Sequence, residues 1–399
     1  STLRSAGLNA LSKISLNKAV EAQLADLSRD DTVATATLPT LLSSQKGRDI
    51  LLASLASAQL PADNAKLAVS ITRSTGSELP AIINAFRKAG NVSAAGWVLT
   101  ADLKDALVEE VSKIGDPHLG QDIYRRKSLQ CMLCHGIGGS GGKVGPDLIS
   151  IGASAPTDYL IESLLAPNNK IKENFHAVQI LDVNGRITSG IIIQSDESEI
   201  KLRTAKNEIA SILKADIELQ KESRSLMPDG TVDELTRTEL IHLVSFLSRL
   251  GKVGEFEISK QRYGRTWEVL QVSPSAHRLL NRTGIDSASK EAEEFQWEKH
   301  YATVQGTVPT KELPAIAPHT ADNLFSFLRS NIVVTQPGKI TIKIKNADGI
   351  LMWVNGKPTP LNSGTATINL NNGTHRVVIG VQQSIRTTDN IPVSYTHLR

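Results

Sequence analysis

The chain has 399 residues, enough for two or three domains, with 40% apolar and only 4% aromatic side chains. Its 44 Lys and Arg against 41 Asp and Glu leave a net charge of +3, too mild a balance to imply nucleic acid or an anionic membrane surface as partner. No run of about 18 apolar residues occurs, so no transmembrane helix is expected, and no signal peptide is visible.

Residues 1–115 read as helices. Leu51, Leu52, Leu55 and Ala58 recur at helical spacing, as do Ala65, Ala68 and Val69. Pro61, Gly76 and Gly90 punctuate the pattern, and Ser93 or Thr100 is suited to cap a later helix. Segments 47–59, 62–72 and 77–89 are short and paired, which predicts an α-solenoid of the HEAT kind with a scaffold role. The chain begins at Ser1 rather than Met, and a solenoid needs neighbours to cover its faces, so further N-terminal sequence is expected.

Gly115-Asp116-Pro117 breaks this region, and residues 120–130 are expected to form a helix leading into Cys131-Met132-Leu133-Cys134-His135. C-x-x-C-H is the signature of covalent attachment of a c-type haem, in which two thiols add across the vinyl groups and the histidine ligates the iron. A dithiol redox couple or half a zinc site are the competing readings. These are the only two cysteines, which excludes an all-cysteine zinc site, and no H-x3-5-H partner is visible. A thioredoxin-like couple expects a βαβ context, whereas a glycine-rich loop follows here. That loop, Gly136 to Val144, is not a phosphate-binding loop, because Ile137 and Val144 stand where Gly and Ser/Thr are required. Its glycines let the backbone pass close to a flat ligand.

Gly145-Pro146-Asp147-Leu148 follows, and with the motif before it resembles the class I cytochrome c family. The resemblance implies that the Pro146 carbonyl accepts a hydrogen bond from the His135 ring and so orients the ligand. Residues 156–166 form a helix with Leu160, Ile161, Leu164 and Leu165 on one face. From about 174 to 220 the period changes to that of strands. Asn184-Gly185 marks a hairpin, and a small β insertion is expected. Ser225-Leu226-Met227-Pro228-Asp229-Gly230 then offers a thioether on a turn. Met132 lies between the cysteines and Met352 in another region, so Met227 is the candidate second iron ligand, with His176 and His242 as rivals. Thr236-x-x-Glu239 is a capping box opening a helix with the stripe Leu240, Leu243, Val244, Leu247 and Leu250, ended by Gly251. The resemblance to class I cytochromes c, whose first and last helices cross near the haem, implies that Gly120 and Tyr124 pack on Leu243, Phe246 and Leu247.

The order of these parts resembles the PVC-type haem-binding cytochrome c domain, over residues 116–251. In that family the module often follows HEAT-like repeats and a propeller resembling sugar dehydrogenases. The resemblance implies an extracytoplasmic, bacterial, monohaem protein with haem c on Cys131 and Cys134, iron held by His135 and Met227, and one-electron exchange with a redox partner. Two other readings stay open: the haem as acceptor for a sugar or alcohol dehydrogenase domain upstream, or as a sensor beside a polysaccharide-binding module.

Residues 252–331 read as a connection containing Trp267, Trp297 and Tyr301. Residues 332–392 alternate as strands, with Asp348-Gly349, Asn355-Gly356 and Asn372-Gly373 as turns, which predicts part of a β-sandwich loosely similar to carbohydrate-binding modules. Trp353 is a sugar platform or, by preference, a core residue. Residues 393–399 resemble a translated sequencing adapter and are set aside from the fold.

Overall fold

The computed structural model describes residues 7, 10–12, 14–28, 38, 40–42, 44–74, 79–92, 96–126, 129–205, 207–233, 235–259, 261–318 and 323–398. The expected cap Ser93, and Gly76, Ser77 and Arg399, lie outside them. The fold is mixed, with an N-terminal helical region and C-terminal antiparallel sheets. It divides into two units: residues 1–135, 142–146 and 151–250, and residues 136–141, 147–150 and 251–399. Among the described residues no helix is long and apolar enough to cross a membrane.

The first unit opens with α1 (Leu16–Leu27), α2 (Gln45–Leu55), α3 (Ala62–Ser74) and α4 (Pro80–Ala89). One apolar cluster joins them, with Leu27, Leu51, Leu55, Ala65, Ala68, Val69, Ile82 and Phe86 all buried. Leu52, expected on the same stripe, faces outward at 38% exposure, because one residue's step along a helix turns a side chain about 100° from its neighbour. Five further helices follow: α5 (Ala101–Ile114), α6 (Pro117–Tyr124), the single turn α7 (Cys131–Cys134), α8 (Ile151–Ser154) and α9 (Thr157–Leu165). Thr100 caps α5 by accepting from Leu103 N. The last helix of this unit, α10 (Arg237–Arg249), opens on the capping box: Thr236 accepts from Glu239 N while the Glu239 carboxylate accepts from Thr236 N. Its five stripe residues are buried, and Gly251 leaves it in the left-handed conformation, φ +80°.

Between α9 and α10 lies the expected β insertion. Two short strands, β1 (Gly136–Ile137) and β2 (Ser140–Gly141), precede it in the chain and pair with each other within the second unit. The insertion comprises β3 (Ala177–Asp182), β4 (Ile187–Ser195), β5 (Glu199–Arg203), β6 (Ile209–Leu213) and β7 (Ile217–Glu222), in the order β6-β5-β4-β3-β7. The two edge strands are consecutive in sequence, joined only by the 3₁₀ turn Lys214–Asp216. Such a link spans at most about 15 Å between flanking Cα atoms, whereas a flat five-stranded sheet sets its edges about 19 Å apart. The sheet therefore rolls up around Val178, Ile180, Ile200 and Leu202. The β3–β4 hairpin turns at Asn184-Gly185, where the Asp182 carboxylate accepts from Asn184 N and Arg186 N. Val183 lies in this turn and is exposed.

The β4–β5 turn depends on Asp196, whose carboxylate accepts from the Ser198 and Glu199 amides and the Ser198 hydroxyl. The amides of Glu199 and Ser198 hold its pKa down to about 2. A carboxyl lowered in the folded state stabilises above its unfolded value of about 3.9, and that contribution is lost as the pH falls toward 2. Acid titration followed by amide shifts should therefore show Ser198 and Glu199 moving with a midpoint near pH 2. A midpoint at the ordinary aspartate value would refute the turn geometry.

The second unit holds two sheets. The four-stranded one is ordered β10 (Thr307–Pro309), β17 (Asn390–Leu398), β12 (Gly338–Ile344), β15 (Thr365–Leu370). The six-stranded one is ordered β14 (Lys357–Pro358), β13 (Ile350–Val354), β16 (Gly373–Gln382), β11 (Phe325–Val334), β8 (Thr266–Leu270), β9 (Trp297–Tyr301). Ile340, Ile342, Ile344 and Val393 from the first share a core with Val269, Leu328, Met352 and Ile379 from the second. The stretch 252–331, expected as a connection, thus contributes strands β8, β9 and β10 and most of β11. It also contains the helix α11 (Pro274–Thr283).

Asn355-Gly356 is a two-residue hairpin turn with φ of 51° and 75°, the pattern of a type I′ turn. Asn372-Gly373 is not a hairpin: β15 and β16 belong to different sheets, so the chain changes layer there. Residues 393–398, set aside on sequence grounds, lie in β17 and pair in register with β12, from Val393 with Ile344 to Leu398 with Lys339. Trp353 is a core residue, 2% exposed, its indole N–H donating to Asp286 at 2.9 Å; the sugar-platform alternative has no exposed ring to act through.

Candidate haem attachment site

The site begins with the crossing of α6 and α10. Asp116 caps α6, its carboxylate accepting from the His118 and Leu119 amides, which lower its pKa. Pro117 takes the first helical position. The helix runs from Pro117 to Tyr124 rather than over 120–130, because Asp116-Pro117 starts it early and it ends by Arg125. Gly120 lies against the His242 carbonyl, so close that a Cβ there would also sit 2.7 Å from the Phe246 Cβ. One turn on, Tyr124 packs against Phe246 with ring centroids 5.6 Å apart. The Tyr124 hydroxyl donates to the His135 carbonyl at 3.1 Å, tying the crossing to the motif.

Gln130, left-handed at φ 56°, turns the chain into α7. Residues three apart on a helical turn share a face, so the Cys131 and Cys134 side chains leave on one side. Both are free thiols and half-buried. Desolvation pushes the Cys131 thiol up to about 12 and raises that of Cys134. A catalytic dithiol needs the opposite shift, toward the thiolate. Among the described residues no group of three or more His, Cys, Asp or Glu is placed to hold a metal ion.

His135 follows directly, half-buried. Its Nδ1 lies 2.9 Å from the Pro146 carbonyl oxygen, which can only accept, so Nδ1 carries the proton. Gly145 lies against the imidazole: a Cβ there would sit 2.7 Å from Nδ1 and 2.9 Å from Nε2. The Gly145 and Gly142 amides donate to the Cys134 and Met132 carbonyls at 2.8 and 2.9 Å. These two glycines thus bring the loop close to the motif itself, with the imidazole as the flat group that Gly145 meets. Asp147, which carried no expectation beyond its place in the motif, accepts from the Gly138, Gly139 and Ile149 amides and fixes its own segment of the loop.

Cys131, Cys134, His135 and Pro146 therefore form one local assembly, and Met227 stands on a separate loop. That loop is half-buried at Met227, whose amide donates to Ser225 Oγ at 3.1 Å. The Asn168 side chain accepts from Ser225 N at 2.9 Å and donates to Asp229 at 2.8 Å. Further along, Trp97 donates its indole N–H to the Val232 carbonyl and its amide to Asp233. Of the rival ligands, His242 accepts from Asp116 N through Nδ1, which spends one ring nitrogen on the helix crossing, and His176 is exposed. Asn168 and Tyr124 were not legible as site residues, since their partners are 57 and 11 positions away with no motif linking them.

The donor set fits a covalently held haem: two neutral thiols on one face, and an adjoining imidazole whose outer nitrogen is already engaged.

No family model matches this chain, and no curated protein matches it. Among solved structures, the selenomethionine-labelled β-glucosidase from Kluyveromyces marxianus aligns at 11% identity and a TM-score of 0.22. That alignment covers 36% of this chain and 17% of the enzyme. The same enzyme in complex with glucose aligns at 10% identity over 34% and 17%, again with a TM-score of 0.22. Similarity at this level carries no argument about fold or function.

Proposed function

We propose that residues 116–251 are a monohaem c-type cytochrome domain of the PVC-type haem-binding family, working in one-electron transfer outside the bacterial cytoplasm. Cys131 and Cys134 would hold the haem through thioethers, and His135 and Met227 would ligate its iron. The helices of residues 1–115 then serve as a HEAT-like scaffold and the C-terminal sheets as a β-sandwich. The observation that carries this reading is the His135–Pro146 hydrogen bond beside two neutral thiols on one face. Pro146 fixes the imidazole's tautomer and direction and raises its basicity. The bound haem would supply an iron that cycles between two oxidation states. A His/Met pair raises its potential relative to two histidines.

The test is expression of the chain with haem-maturation machinery. Denatured protein should keep a peroxidase-active haem stain, and Cys131→Ala/Cys134→Ala should lose it. Met227→Ala should abolish the thioether charge-transfer band of the oxidised form and open the reduced form to carbon monoxide. Denatured parent protein without stain sinks the proposal; unchanged carbon monoxide behaviour in Met227→Ala sinks the assignment of Met227.

A further inference from the structure

We infer that Asn168 is the positioning residue for the Met227 thioether, acting as a two-point bracket across the loop; this rests on the reading of Met227 as an iron ligand. The chain near Met227 has little regular structure of its own: β7 ends at Glu222 and α10 starts at Arg237. A thioether is a weak ligand, and a loop that can swing away exchanges it for solvent or a competing donor. Something must therefore hold residues 225–229 in one shape.

Asn168 does this with both ends of one amide. Its Oδ1 accepts from Ser225 N, two residues before Met227, and its Nδ2 donates to Asp229 Oδ1, two residues after it. Inside the bracket, Met227 N donates to Ser225 Oγ, and the Thr231 hydroxyl donates to the Pro228 carbonyl. Asn168 itself is half-buried and sits in the turn that follows α9, next to the buried Pro167. The other side chain on Asp229, Arg224, is exposed and lies 3.4 Å away. An exposed ion pair of that kind contributes little.

The experiment uses the full-length holoprotein in its oxidised form and measures the dissociation constant for added imidazole, which competes with the thioether. Asn168→Ala removes both hydrogen bonds, and imidazole should bind about tenfold more tightly. Asn168→Asp keeps the acceptor toward Ser225 but turns a carboxylate toward Asp229, with a similar effect. The pair Asn168→Asp/Asp229→Asn reverses donor and acceptor and should return the constant to within about threefold of the parent, which a general packing role would not do. Arg224→Ala should also stay within about threefold. If Asn168→Ala gives no holoprotein, Asn168→Asp against the reversed pair decides. Amide exchange on the haem-free chain is a second readout, with Ser225 N–H exchanging faster in Asn168→Ala. The bracket is overturned if the parent has its thioether band while the Asn168 variants leave both the imidazole constant and the Ser225 exchange unchanged. A parent without that band would remove the ligand reading and this inference with it.

Discussion

If haem is held as proposed, replacing Gly145 by alanine is expected to disrupt coordination of its iron by His135 while leaving the thioethers and the fold in place. The added Cβ would stand 2.7 Å from His135 Nδ1 and 2.9 Å from Nε2, with Cε1 closer still. Real Cβ atoms do not approach other heavy atoms that closely, so the ring must move. It cannot move and keep its 2.9 Å hydrogen bond to Pro146, which lies one residue beyond Gly145. Loss of such an orienting partner costs about 10–100-fold in metal affinity in other sites, and overpacking adds about 1–3 kcal/mol. The measurement is the reduced-minus-oxidised spectrum, with haem stain as the loading control. The six-coordinate signal per attached haem should fall at least about tenfold. Gly139→Ala is the control. Gly139 has φ +81°, and a methyl added there would meet no atom within 4 Å, so the change should cost about 1 kcal/mol of backbone strain and leave the spectrum unchanged. A parent-like spectrum from Gly145→Ala would show that the imidazole does not rest on that glycine.

The second large effect is on stability. Gly120→Ala should destabilise the first unit by about 3 kcal/mol, the upper end of the range for inserting a methyl into a packed contact. In an exposed helix the same change would stabilise by about 1 kcal/mol through propensity. Here the methyl would collide with the His242 carbonyl and stand 2.6 Å from its carbon and 2.7 Å from the Phe246 Cβ. Backbone on the opposing helix has nowhere to go without separating α6 from α10, and separation also breaks the Tyr124–Phe246 contact and the Asp116 N–H bond to His242. The collision therefore outweighs the propensity gain. Urea unfolding of the haem-free chain checks the sign directly. A midpoint equal to or above the parent's would mean the helices do not cross at Gly120.

Electron transfer at this site would need little from the polypeptide beyond a fixed iron environment. The parts that fix it differ in reach. Pro146 acts on His135 across 11 residues and Gly145 across 10, whereas Asn168 acts on the Met227 loop across 57 and His242 meets Asp116 across 126.

What the amino-acid order determined alone is the set of features complete within about four residues. The C-x-x-C-H turn, the Thr236–Glu239 capping box, the Asn355-Gly356 hairpin and the strand period of the insertion are of this kind. Each depends on hydrogen bonds and side-chain directions inside one turn of backbone, so residue type and spacing suffice. Tertiary structure alone decided which partners those pieces meet. Asn372-Gly373 has the composition of a hairpin turn yet changes sheets: β15 pairs with β12, and β16 with β11 and β13. Residues 252–331 read as a connection because Trp267, Trp297 and Tyr301 sit among charges, but Trp267, Val269 and Leu270 of β8 are buried in a sheet where β8 pairs with β11 on one side and β9 on the other. Gly145 beneath the imidazole is the same case: a missing side chain has no local signature, and its use is fixed by what the fold brings against it.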